Sequence, residues 1–264
     1  QTRTDDEVVA QEGEAEKGLV IERRFTTAGA DPFDAFDWIE MSVEIRNPDG
    51  SLAHEIHGVQ LPSGFAGVPG KVCAQKYLRK AGVPAALRKV AEDGVPGWLQ
   101  RSEPDHEKLQ TLAPEDRFVG ETDGRELFRR LAGTWTYWGW THGYFASEAD
   151  ARAFYDEMAY LIASQRSAPN SPQWFNTGLN WAYGITGPAQ GHHYVDAVTG
   201  ELNLSEDAYT HPQPHACFIQ SVGDSLVGGT ESIMGLWNRE ALLFKYGSGT
   251  GSNFSQIRGA GEPL

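Results

Sequence analysis

His215-Ala-Cys-Phe-Ile-Gln-Ser-Val-Gly-Asp-Ser225 holds one of only two cysteines in a chain of 264 residues. From Cys217 to Val222 the run has the β-propensity and the length of a buried strand. A cysteine at the head of such a strand either packs as a small apolar residue or faces a cavity, where thiolate chemistry or hydrogen-atom transfer is feasible. The run itself leaves both readings open.

Downstream of this run the spacing predicts a helix from about Glu231 to Tyr246, leading into Gly247-Ser-Gly-Thr-Gly-Ser-Asn-Phe-Ser255. Closely spaced glycines let backbone N–H groups approach an anion. This stretch, however, follows a helix, lacks the third glycine of a dinucleotide fingerprint and has no Gly-Lys-Ser/Thr, so a helix C-cap followed by a flexible turn is the reading that spacing supports. His192, His193, His211 and His215 invite a metal reading, but Pro212 and Pro214 forbid the helix that would present two of them to one ion. They read as surface-loop histidines. Ser171-Pro172, within the loop-rich stretch after Gln165, offers a hydroxyl and backbone donors in a stiff turn.

Upstream, LVIERRFT, DWIEMSVEIRN and SLAHEIHGVQL read as short strands of an antiparallel hairpin unit, with Pro48-Asp49-Gly50 as a turn. Residues 63–120 yield only short helices. Asp123 with Glu126 opens a helix through a capping pattern, and Leu127, Phe128, Leu131 and Trp135 share one face. Ser147 with Asp150 opens a second, with Phe154, Met158, Leu161 and Ile162 at helical spacing. The cluster TWTYWGWTHGYF between them reads as packing at the helix junction, because too few basic residues lie nearby for a platform that stacks bases.

The net charge of −14 argues against duplex DNA or an anionic membrane as a partner. Two cysteines fit a reducing compartment, and neither a membrane span nor a signal pattern is present, so the expected location is cytoplasmic. The acidic stretch 1–17 is expected to be a disordered tail. The expected divisions are therefore 1–17, an N-terminal hairpin and helical region over 18–165, and a last region over 166–264.

The ordered series Ala168–Asn176, His215–Gln220, Gly223–Leu226 and Phe244–Ser255 resembles class II ribonucleotide reductases, the adenosylcobalamin-dependent type. GVQLPSGF at 58–65 and AQKYLRKAGVP at 74–84 are also similar to that family's N-terminal region. The resemblance implies an α/β fold, an N-terminal α+β region followed by the first strands and helices of the reductase-type α/β barrel. It implies that Cys217 is the first redox-active cysteine, facing the ribose and pairing with a later cysteine as substrate is reduced. It makes Ser171, Pro172 and Ala216 substrate contacts, and Asp224, Ser225 and Arg258 the start of the site for a deoxynucleotide effector.

The implied partners are a ribonucleoside di- or triphosphate, a thioredoxin-type reductant and a second copy of the chain met through the 231–246 helix. The family's radical cysteine, second redox cysteine and most of its adenosylcobalamin surface belong to later strands, and Cys73 matches none of these positions. The chain is therefore expected to be inactive alone and to need a completing C-terminal segment or chain. Two other readings compete: a non-catalytic nucleotide- or partner-binding module, in which Cys217 merely packs, and a piece of a class I reductase large subunit, which uses a metal-containing radical subunit.

Overall fold

The computed structural model describes residues 18–263, so the acidic segment 1–17 lies outside the described residues. Strands β1 (Trp38–Arg46) and β2 (Leu52–Pro62) form the expected antiparallel hairpin, with a register shift between Met41 and Val43. Its turn is closed by Asp49, whose carboxylate accepts from the Ser51 backbone N–H at 2.9 Å and hydroxyl at 2.6 Å, while Gly50 takes the left-handed φ of 85°. Val43, Val59 and Leu61 turn inward and are fully buried.

The run LVIERRFT is not a third strand. Apart from one bridge between Leu19 and Phe145, it lies as an extended strap. Leu19 N donates to the Tyr144 carbonyl at 2.7 Å, and further along backbone donors go to carboxylates: Ile21 N to Asp150 at 2.9 Å and Thr26 N to Glu157 at 2.8 Å. Such side-chain acceptors satisfy an extended backbone without a ladder.

Beyond β2, a five-residue helix α1 (Val68–Val72) runs into a π-helical turn over Cys73–Tyr77. Residues 78–122 hold short helices, as expected, α2 (His106–Gln110) and a 3-10 turn over Pro114–Asp116, and also four strands of two or three residues that leave no sequence period. These are β3 (Val83–Pro84), β4 (Leu87–Lys89), β5 (Ser102–Pro104) and β6 (Phe118–Val119), paired antiparallel as β3 with β6 and β4 with β5.

Helix α3 (Gly124–Thr141) starts at the expected capping box of Asp123 and Glu126, and α4 (Glu148–Ala163) at Ser147. Leu127, Phe128 and Leu131 pack under the hairpin, with Ile162 of α4, in one buried cluster. The aromatic cluster does not lie between the helices: Thr134–Thr141 is the C-terminal half of α3 itself. Gly133 and Gly139 suit their places there because a Cβ at either would run into an aromatic ring, Trp181 at Gly133 and Phe145 at Gly139. Asp123→Ala removes one half of the capping box, and a loss of about 1 kcal/mol in urea unfolding is expected.

The stretch expected to be loop after Gln165 contains helices α5 (Ser171–Asn176) and α6 (Leu179–Tyr183), followed by a small antiparallel pair, β7 (His193–Val195) with β8 (Leu202–Leu204). Last comes a parallel unit, β9 (Cys217–Ser221), α7 (Ile233–Lys245) and β10 (Gly249–Asn253). The glycine-rich stretch is thus a strand over most of its length, after a left-handed Gly247 at φ 83° that ends α7. β9 is not the buried strand expected: its residues alternate, and Ile219 is 82% exposed, because among the described residues it has one neighbouring strand. The fold is mixed α/β, with no closed barrel among the described residues. No described helix is long and apolar enough to cross a membrane.

Candidate functional site

The base of the site is a buried ion pair. Arg130 on α3 and Glu121, just before the helix, have side chains 1% and 0% exposed and meet at 2.7 Å through Nε and Oε1, with Nη2 reaching Oε2 at 3.2 Å. The surrounding chain supplies further partners to both groups. Tyr183 donates its hydroxyl to Glu121 at 2.7 Å and Arg79 its backbone N–H at 2.7 Å, while Arg130 donates to the carbonyls of Thr177 at 2.7 Å and Tyr77 at 3.2 Å. Burial is the main force pushing the Tyr183 hydroxyl pKa up, reinforced by the Glu121 charge.

This pair anchors α5. Ser171, the first helical residue, is exposed and its Oγ lies 3.2 Å from the Tyr77 hydroxyl; Pro172 beside it is buried. Proline suits that position because its missing N–H would be unpaired there anyway. At the far end, Asn176 Nδ2 donates to the Gln213 carbonyl at 3.4 Å. Gln213 Nε2 in turn donates to the His215 carbonyl at 2.9 Å and the Ser248 hydroxyl at 3.1 Å, and Ser248 Oγ donates to the same carbonyl at 3.0 Å. Ala216 follows, its carbonyl accepting from Gly249 N at 2.5 Å.

Cys217 then begins β9, opposite Gly249 in the parallel register, as a free and exposed thiol. A Cβ at Gly249 would stand 3.4 Å from the sulfur, so this side of the thiol is lined by backbone. These bonds tie the end of α5 to the chain at Gln213 and His215, just before Ala216 and Cys217, while Tyr77 meets Ser171 at the start of α5; Tyr77, Gln213 and Ser248 are residues that the sequence reading did not single out. Helix α7 fastens both strands beneath: Arg239 donates to Gln220 and to the Ser221 carbonyl, each at 2.8 Å, and Glu240 accepts from Thr250 at 3.0 Å and Ser252 at 2.9 Å.

The second group forms around the loop before α7. Arg258 pairs with Asp224 at 2.5 Å and also donates to the Pro263 carbonyl. Ser225 donates to the Val227 carbonyl at 2.6 Å. Asp224 and Arg258 are therefore together, and the carboxylate occupies Nε of the arginine. Between residues 227–230 and α7 lies a groove of about 490 Å³, lined by Gly229, Thr230, Met234 and Arg239 but not by Asp224 or Arg258.

The remaining candidates separate from this site. Cys73 is buried, and burial, with the Glu121 charge adding to it against Arg130, pushes its thiol up to about 12, so it stays protonated. No group of three or more His, Cys, Asp or Glu is arranged to hold a metal among the described residues. His211 instead stacks face to face on Tyr194, centroids 3.7 Å apart. The aromatic half of α3 faces a separate open cleft of about 880 Å³, which Trp135, Trp138 and Trp181 line.

Two stretches match known family descriptions: residues 39–165 match "Class II vitamin B12-dependent ribonucleotide reductase", and residues 215–264 match "Ribonucleotide reductase, barrel domain". The chain belongs to the class II, vitamin B12-dependent ribonucleotide reductase family. A vitamin B12-dependent ribonucleotide reductase of Bradyrhizobium diazoefficiens is 59% identical over 246 residues, covering 92% of this chain and 19% of that protein. The reductase of the same description from Agrobacterium fabrum is 58% identical over the same length, with the same two shares, 92% and 19%. That of Rhodopirellula baltica is 30% identical over 248 residues, covering 94% of this chain and 20% of the protein. The chain thus spans about a fifth of the length of the curated reductases it matches.

The reductase barrel match opens at His215, so it takes in β9, α7, β10 and Cys217, whereas Ser171 and Pro172 fall between the two matched stretches. The described residues do not by themselves build a pocket for a corrin ring. Beside Cys217 they supply one two-stranded sheet with exposed Ile219 on its surface and no facing wall.

Proposed function

We propose that this chain works as the N-terminal part of a reductase that converts ribonucleotides to deoxyribonucleotides, with Cys217 as one of its two reducing thiols. The observation that carries this is Cys217 itself: a free, exposed thiol at the head of the first barrel-matched strand, linked through Gln213 and Asn176 to the Ser171 helix.

Adenosylcobalamin, when bound to the whole protein, supplies the radical that activates the ribose. The thiol's share is electron-balanced. The ribose loses its 2′ oxygen as water, and Cys217 with a later cysteine gives up two electrons and two protons to become a disulfide. A thioredoxin-type dithiol reopens that disulfide by exchange. Ser171 and Pro172 contact the ribose and phosphates, and the backbone at Ala216 holds the sugar beside the sulfur.

Asp224, Ser225 and Arg258 begin a deoxynucleotide effector site, in which the effector phosphate replaces Asp224 on the arginine. Helix α7 meets a second copy of the chain, which fits its exposed Met234, Trp237 and Leu242. Two thiols that must cycle through a reduced state suit the cytoplasm.

The whole protein is incubated with ribonucleoside di- and triphosphates and a thioredoxin-type reductant, with and without adenosylcobalamin. Deoxynucleotide is expected only with the cobalamin. The same rate without it would remove the cobalamin dependence, and a rate that depends on a metal-containing radical subunit would place the protein in class I.

A further inference from the structure

Tyr77 closes the π-helical turn Cys73–Tyr77, touches α5 in two ways and is tied to its far end through Arg130. Its ring stacks on Trp174, centroids 5.2 Å apart and planes 16° from parallel. Its hydroxyl meets Ser171 Oγ at 3.2 Å. Its carbonyl accepts from Arg130 Nη2, on the guanidinium whose Nη1 donates to the carbonyl of Thr177, the residue directly after α5.

One buried cation therefore fixes the backbone of Tyr77 and the end of α5 together, while Tyr77 reaches over to the start of the same short helix. A planar guanidinium with fixed donor directions suits such a fork, and Glu121 accepts from its Nε and Nη2. Ser171 is the exposed end of this arrangement. A serine hydroxyl rotates freely unless a partner orders it, and the Tyr77 hydroxyl is the side-chain partner the structure gives it.

We propose that Tyr77 is a positioning residue for the nucleotide: its hydroxyl sets the rotamer of Ser171, and the Arg130 fork beneath sets Tyr77. The inference rests on the reading of Ser171 as a substrate contact. Its consequence is that the 39–165 unit, which carries none of the reacting groups, tunes nucleotide affinity through a single hydroxyl.

The test uses the whole reductase with Tyr77→Phe, Ser171→Ala and both together. Phenylalanine keeps the stack on Trp174 and removes only the hydroxyl. KM for the ribonucleotide is expected to rise about 3- to 10-fold in each single variant, the range one hydrogen bond spans, with kcat changed far less, as for lost uniform binding. Apparent affinity for adenosylcobalamin and the thermal midpoint serve as readouts that a general structural defect would move. The double variant is expected to match Ser171→Ala alone, because the tyrosine acts through the serine. If Ser171→Ala raises KM and Tyr77→Phe does not, or if the two effects add, the positioning role is wrong while the substrate reading stands. If Ser171→Ala leaves KM unchanged, the substrate reading fails and the positioning role falls with it.

Discussion

Replacing Arg130 with alanine is expected to cost the fold about 3–5 kcal/mol, the penalty for leaving a buried charge without its partner. Glu121 would keep its burial and its donors from Tyr183 and Arg79, but no cation would face it. The carbonyls of Thr177 and Tyr77 would each lose a charged donor as well. Domain stabilities lie at about 5–15 kcal/mol, so this single change removes a large fraction of the total. The measurement is the urea midpoint of the whole protein at fixed denaturant slope. Arg130→Met with Glu121→Leu removes both charges together and is expected to lose clearly less than the sum of the two single changes. An Arg130→Ala cost below about 1 kcal/mol would mean that water reaches the carboxylate, and the pair would then be worth no more than a surface bridge.

That pair shows where sequence reading stops. Glu121 sits in Gly-Glu-Thr-Asp-Gly, which reads as a polar turn, and Arg130 in an Arg-Arg pair on a helix, which reads as a solvated face. Nothing local distinguishes them from exposed charges, since their burial comes from chain arriving at Tyr77, Thr177 and Tyr183. The hairpin, the capping box at Asp123, the cap at Ser147 and the α7 helix were legible because each is written in contiguous residues. β10 was not: Gly249 and Gly251 lack strand propensity, and only pairing with β9, about 30 residues earlier, makes them a strand. Helix α5 was masked by the Pro and Asn that punctuate it, although Pro172 near its start is compatible with a helix. In the site, Cys217 was legible as a thiol and acquired a role only from the family resemblance. Tyr77 escaped notice because it lies 94 residues from Ser171, and Gln213 because it lies 35 from Ser248.

Cys217→Ser is the change with the sharpest expected effect on activity. A hydroxyl has nearly the thiol's size, and the side chain is exposed at the end of β9, so folding is expected to change by no more than about 0.5 kcal/mol. Under the proposed mechanism, turnover needs a sulfur that can give up an electron and form a disulfide, and serine can do neither. Multiple-turnover deoxynucleotide formation by the whole reductase is therefore expected to fall at least about 1000-fold, close to 4 kcal/mol at 1.36 kcal/mol per decade. Binding of a deoxynucleotide effector is expected to be unchanged, because Asp224 and Arg258 make their own contacts beyond the far end of the strand. The pairing of these two readouts separates chemistry from structure: a misfolded variant loses both. Full turnover by Cys217→Ser with a thioredoxin-type reductant would remove Cys217 from the reducing pair. It would also make this exposed sulfur, backed by Gly249, a surface thiol without a redox role.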